Sequence, residues 1–429
     1  MVESGIHGRR QIVSWALYDW ANSAFATTVM AGFFPVFFKQ YWSGARDAAE
    51  STFLLGGANS LASILVVILA PVLGAIADHG SAKKRFLMFF ALMGIVMTGG
   101  LYLVEQGDWL AALVLYVLAV LGFSGGNLFY DALLVDVAEE SGLDRVSAFG
   151  FALGYLGGGL LFGFNVLLTL FPAFFGLPDA AAAVRISFLS VALWWALFSV
   201  PVMLFVHETR PPRATGWLAS IRGGLAQLAD TFHRVRQLRM TFLFLLAYWL
   251  YIDGVDTIVR MAVDYGLSLG FDSNGLIVAL LITQFVGFPA AILFGRLARW
   301  RGPRQGIWIA ISVYLLVILW ASQMDRIWEF YVLAVAIGLV QGGIQALSRS
   351  FYARLIPRDK AAEFFGFYNM LGKFAAVVGP LFMGWVGVVT GNPRLSILSI
   401  LVLFLLGAAV LALVDENEGR RQARMLEET

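Results

Sequence analysis

Leu17-Tyr18-Asp19-Trp20-Ala21-Asn22-Ser23 and its echo Tyr251-Ile252-Asp253-Gly254-Val255-Asp256-Thr257 each place a carboxylate inside a long apolar run. On insertion scales an acid at the centre of a membrane-crossing helix costs about 2.5–3.5 kcal/mol, so such acids mark bundle interiors, watery cavities and functional sites. Two of them at matching places in the two halves of one chain predict a duplicated membrane machine with a polar site between the halves.

The surrounding sequence is of the same kind. Of 429 residues, 59% are hydrophobic and only 14% charged, and the mean hydropathy is +0.78. No soluble domain could hide that much apolar surface. A spanning helix needs about 20 mostly apolar residues. Twelve such segments are predicted, near 12–38, 52–77, 86–104, 109–133, 147–171, 186–206, 240–262, 274–294, 306–323, 328–348, 364–389 and 395–414. They are long runs without the ten-residue alternation of a β-barrel. The expected class is therefore an all-α membrane protein with twelve transmembrane helices in two six-helix pseudo-repeats. Residues 1–206 form the first bundle, 207–239 a bridge, and 240–429 the second bundle with a short tail. Within the bridge, Leu218, Ile221, Leu225, Leu228, Phe232 and Val235 recur at spacings of three and four. That pattern predicts an amphipathic helix, with Arg222, Arg234 and Arg236 available to lipid phosphates.

Lys and Arg set the orientation. With the N-terminus inside, 23 of the 30 fall in inner segments, including Lys83, Lys84, Arg85, Arg296, Arg299 and Arg301. Five (Lys39, Arg46, Arg185, Arg326 and Arg394) fall outside, and Arg260 and Lys373 lie within spans. Both termini are expected to be cytoplasmic. The first run is too long for a signal peptide and is followed by no small-residue cleavage pattern, so it is expected to remain as a span. The chain has no cysteine, and its four histidines form no cluster. Gly366 to Gly372-Lys373 has the wrong spacing for a phosphate loop, and Phe374 follows where Ser or Thr belongs. No enzyme, cofactor, metal or nucleic-acid function is expected.

The halves echo each other further. Gly125-Gly126 followed by Phe149-Gly150-Phe151 matches Gly342-Gly343 followed by Phe365-Gly366-Phe367. In both, the glycine pair is expected to end one span and Phe-Gly-Phe to begin the next. Gly74-Ala75-Ile76-Ala77-Asp78 matches Gly295-Arg296-Leu297-Ala298-Arg299. Three echoes in register predict an internal repeat.

Six plus six helices, a long central bridge, and Gly74 and Asp78 followed by Lys83, Lys84 and Arg85 resemble the major facilitator superfamily. Arg299 stands where the second half would repeat the Asp, a departure from a symmetric gating latch. A narrower resemblance covers nearly the whole chain. Trp15-Ala16-Leu17-Tyr18-Asp19-Trp20-Ala21-Asn22-Ser23-Ala24-Phe25 is similar to the opening helix of the autophagy-related vacuolar amino-acid effluxers and their bacterial relatives. So are Gly342-Gly343-Ile344-Gln345-Ala346-Leu347-Ser348-Arg349-Ser350 and Glu363-Phe364-Phe365-Gly366-Phe367-Tyr368-Asn369 with Gly372-Lys373-Phe374. The resemblance implies a transporter whose first and seventh helices line a central cavity.

Asp19, Asn22 and Ser23 share one helix face, and so do Asp253, Asp256, Thr257, Arg260 and Asp264. Such residues must face a bundle interior or water. A polar knot that only holds helices together is the competing reading. Lys373 lies about 14 Å deep at 1.5 Å per residue, near the middle of a roughly 30 Å core. It is expected to pair with Asp19 or Asp253, because an isolated buried ammonium is costly. Arg260 is expected to pair locally with Asp256 or Asp264. Asp131 and Asp136 with Arg349 are candidate inner-gate residues, joined by Asp78, and Gln341 and Gln345 are candidate ligand contacts. Asp253 stands slightly ahead of Asp19 as the coupling acid, because Asp256 adds like charge.

These features together predict a monomeric secondary transporter in a bacterial plasma membrane, working by alternating access on a small solute. An amino acid or similar zwitterion suits acids on helices one and seven and a lysine on helix eleven, with proton coupling as a further expectation. A proton-coupled carrier of another metabolite or drug is the alternative, and a non-transporting receptor or scaffold is the alternative of another class.

Overall fold

The computed structural model describes residues 2–44, 48–80, 82–209, 222, 223, 226 and 238–427. The expected amphipathic helix of the bridge lies outside them, apart from those three isolated positions.

Twelve helices are long and apolar enough to cross a membrane. They are α1 (Gly8–Trp42), α2 (Leu54–Gly80), α3 (Lys83–Leu103), α4 (Trp109–Val137), α5 (Glu140–Leu170), α6 (Ala180–Phe205), α7 (Arg239–Ala262), α8 (Val278–Arg301), α9 (Pro303–Ala321), α10 (Ile327–Arg354), α11 (Arg358–Thr390) and α12 (Pro393–Ala412). A thirteenth helix, α13 (Glu416–Glu427), is short and charged. The even number of spans puts both ends of the chain on one side, called here the terminal face. Many large side chains point outward, among them Phe89, Leu193, Leu316 and Leu405. That is the surface of a bundle solvated by lipid. In α1 the backbone widens into π turns over Phe25–Phe33, beginning six residues beyond Asp19.

Several helices run further than their apolar stretches predict. The glycine pairs do not end spans: α4 continues from Gly126 to Val137 and α10 from Gly343 to Arg354. The extensions carry Asp131, Asp136, Arg349 and Arg354, and each of these charges has a partner there. A helix whose polar end is satisfied by neighbours need not stop where its apolar run stops.

The internal repeat has a packing basis. Gly74 of α2 lies against the start of α11, where a Cβ would come within 2.2 Å of the Ala362 carbonyl oxygen. Gly295 of α8 lies against the start of α5, where a Cβ would come within 2.6 Å of the Ala148 Cβ. The echo between 74–78 and 295–299 is thus a matched pair of close crossings between the halves, one at each seam. Only a residue without a side chain permits them.

Candidate functional site

Each half places its intramembrane acid in the same way. Asp19 of α1 faces Gly154 of α5, where a Cβ would sit 2.8 Å from Asp19 Oδ1 and 2.7 Å from Ser23 Oγ. Asp253 of α7 faces Gly379 of α11, where a Cβ would sit 2.5 Å from Asp253 Oδ1 and 1.9 Å from Thr257 Oγ1. The device is an acid, a hydroxyl one turn later on the same face, and a glycine on the fifth helix of that half.

The two sites differ in what satisfies the acid. Asp19, 9% exposed, accepts hydrogen bonds from Ser23 Oγ at 3.1 Å and Tyr130 Oη at 3.3 Å. Asp253, 1% exposed, accepts the backbone N–H of Gly379 at 2.8 Å, and Thr257 donates instead to the Asp253 carbonyl. Pro380 follows immediately inside α11. Proline disturbs the helical ladder around it, and here a carboxylate supplies the acceptor for the N–H just before the proline.

Lys373 pairs with neither Asp19 nor Asp253, contrary to expectation. Among the described residues it forms no ion pair, and the charges acting on it are those of Asp256 and Arg260. Asp253 is committed to the α11 backbone and is closed off from solvent. Arg260 likewise makes no pair with Asp256 among the described residues; its side chain is exposed. The Asp264 side chain lies outside the described part.

Asp256, Lys373, Gln345 and Asn127 form a partly exposed polar band. Asn22 is buried behind this band and donates to Asn127 Oδ1. Tyr155 of α5 stands between the halves. Its hydroxyl donates to Gln345 Oε1 at 3.4 Å, and the charges of both Asp19 and Asp256 act on it. Gly342 and Gly287 lie against its ring. Gln341 is separate: it lines an apolar cavity inside the second half with Met261, Thr283 and Ile337.

At the terminal face the halves are bolted together. Arg349 of α10 is 2% exposed and reaches into the first half. It donates to Asp131 Oδ1, Ser147 Oγ and the Ser147 carbonyl, each at 2.9 Å. Its guanidinium lies 4.3 Å from the Phe151 ring and about 5 Å from Trp15 and Tyr130. Asn369 of α11 donates to the other Asp131 oxygen at 3.2 Å. Removing either member of such a buried pair leaves an uncompensated charge. Gly150 makes room, since a Cβ there would come 2.5 Å from Tyr130 Oη.

Asp136 is not a partner of Arg349. It pairs with Lys83 at 3.1 Å and accepts the Thr209 backbone N–H, both within the first half and its bridge. Asp78 does cross between the halves. It accepts the backbone N–H of Glu363 at 2.8 Å, at the start of α11, and lies 3.7 Å from Lys83. An acid there meets the positive end of the helix dipole.

Several bridging residues carried no site assignment in the sequence. Arg354 pairs with Asp144, Arg420 with Glu140 at 2.8 Å, and Arg358 donates to the Ala138 carbonyl at 2.9 Å. The tail is therefore the helix α13, strapped across both halves. Tyr130, Tyr155 and Asn369 were equally hidden. Asn369 ends the Glu363–Asn369 stretch, but nothing in its spacing names Asp131 as partner.

The chain matches the family described as "Vacuole effluxer Atg22 like" over residues 41–142 and 135–424. It is 39% identical to the uncharacterized MFS-type transporter YxiO of Bacillus subtilis (strain 168), over 95% of both chains. It is 25% identical to autophagy-related protein 22 of Yarrowia lipolytica, over 86% of this chain and 76% of that one. Among solved structures its fold is similar to that of the human organic anion transporter MFSD10, with a TM-score of 0.69 at 16% identity over 94% of this chain and 99% of that one. The proton:xylose symporter XylE gives 0.68 at 13% identity over 98% of both. Close packing of two six-helix halves, a polar band between them and these relatives agree: the chain belongs to the Atg22-like effluxer family of the major facilitator superfamily and is a secondary transporter, not an enzyme.

Proposed function

We propose that the chain carries an amino acid or similarly zwitterionic solute across a bacterial plasma membrane by alternating access, acting as a monomer with its terminal face in the cytoplasm. The Lys/Arg bias supports that orientation. One observation carries the mechanism. The ion pairs Arg349–Asp131, Arg354–Asp144, Arg420–Glu140 and Arg424–Glu140 join the halves at the terminal face, whereas Asp256, Lys373 and Gln345 are partly exposed beyond them. This is the arrangement of a carrier shut toward the cytoplasm and accessible from outside. The ammonium of a zwitterion suits Asp256, and its carboxylate suits Lys373 and Arg260. Gln345 and Tyr155 supply hydrogen bonds that fix its orientation.

Proton coupling belongs to the same reading. Asp19 is held by hydroxyls alone, and Tyr130 links it to the Arg349 guanidinium. When the terminal face opens, Arg349 leaves with the second half. The charge environment of Asp19 then differs between the two states, as coupling a proton to the movement requires. Asp253, bound to the α11 backbone, is the weaker candidate.

Uptake into proteoliposomes tests both parts. The expected result is saturable uptake of at least one amino acid, faster with a pH gradient than at matched pH. Transport confined to sugars, nucleosides or drugs would reject the substrate class. Equal amino-acid rates in both conditions would reject the coupling.

A further inference from the structure

Four arginines without a hydrogen bond or ion pair among the described residues surround one cleft at the terminal face. Arg9 of α1 and Arg145 of α5 come from the first half, and Arg296 and Arg299 of α8 from the second. All four are exposed. The cleft measures about 990 Å³, and Glu139 is the single acid among the described residues that line it. Its inner wall is apolar, formed by Ile12, Phe149 and Ile292. Arginines on α13 differ, because Arg420 and Arg421 are neutralised by Glu140 and Glu418.

The cleft sits at the seam where Gly295 lets α8 press on Ala148 of α5. Closing that seam brings two cations from each half together. Like charges gathered at an interface oppose closure unless an anion joins them. The apolar wall beside the cations favours a ligand with an apolar part over a simple aqueous counter-ion. It suits acyl chains that enter from the bilayer with a phosphate at their head. Trp300, 87% exposed between Arg299 and Arg301, is a side chain typical of the membrane–water boundary.

We propose that this cleft binds the head group of an anionic phospholipid, which bridges the two halves and favours the state closed at the terminal face. Basic pockets between membrane helices take such head groups by paired phosphate contacts and nearby acyl-chain burial. The lipid site stands independently of the solute carried; only its bias on the transport cycle rests on the alternating-access reading.

The full chain in a neutral detergent provides the test. Short-chain phosphatidylglycerol, short-chain phosphatidylcholine and inorganic phosphate are titrated separately, with thermal unfolding and native mass spectrometry as readouts. Phosphatidylglycerol should raise the unfolding midpoint and remain as a one-to-one adduct, and the other two should do neither. Arg296→Gln with Arg299→Gln should weaken phosphatidylglycerol binding about thirty-fold, at roughly five-fold per cation. Arg421→Gln, on α13, should leave it unchanged. An equal shift with phosphate alone would mean an anion site without lipid. An equal shift with phosphatidylcholine, or undiminished binding by the double variant, would likewise overturn the proposal. If that variant fails to fold, Arg9→Gln with Arg145→Gln must show the same loss, and retention there refutes the site.

Discussion

The Asp253 carboxylate accepts the backbone N–H of Gly379 at 2.8 Å, one residue before Pro380, and so acts as a side-chain splint for α11 at its proline. Removing the acceptor strands a buried donor, at about 1–3 kcal/mol. Asp253→Ala should therefore lower the unfolding midpoint clearly, and Asp253→Asn, whose amide oxygen can still accept, should lower it much less. Gly379→Ala should be at least as harmful, since its Cβ would meet Thr257 Oγ1 at 1.9 Å. Equal midpoints for the Ala and Asn variants would show that the splint contributes nothing.

The Arg349–Asp131 pair joins the halves at the terminal face and is the proposed gate there. Asp131→Ala leaves a buried guanidinium unpaired, at about 3–5 kcal/mol in this state, so the open state gains population. Ser350→Cys, at a fully buried position one residue beyond Arg349, reports the opening in a chain with no other cysteine. A thiol reagent applied at the terminal face should label it slowly in the otherwise native chain and at least ten-fold faster with Asp131→Ala. Unchanged labelling would remove the gate assignment.

Lys373 has no ion pair to lose among the described residues, so its role separates from stability. Lys373→Met should leave the unfolding midpoint unchanged or raised, because a methylene chain replaces a desolvated ammonium. Solute uptake by the same variant should fall to background. Full uptake by Lys373→Met would exclude it from the solute site.

Orientation can be read from two exposed positions on opposite faces. Gln106→Cys lies in the turn before α4, and Met425→Cys on α13 is 55% exposed. Ser43, although in a loop, is fully buried and would be a poor reporter. An impermeant thiol reagent outside intact cells should label Gln106→Cys and spare Met425→Cys. The reverse pattern would invert the topology.

Composition and periodicity alone determined the class, the twelve spans and the two-half plan, because a bilayer demands long apolar helices and penalises every charge within them. For the same reason Asp19, Asp253 and Lys373 stood out from the sequence as residues of consequence. Partnership was another matter. Asp131 meets Arg349 across 218 positions, and Asp78 meets the Glu363 N–H across 285. A helix face says which residues share a side, but not which other helix will lie against that side. Lys373 passed by Asp253 because a backbone N–H had already claimed that carboxylate, and Asp136 turned to Lys83 because α3 begins beside it. Even the repeat became intelligible only as packing: glycine echoes in one dimension are crossings between halves in three. The periodic cost of burying backbone and charge is written locally, whereas pairing depends on which surfaces meet, and only the assembled bundle decides that.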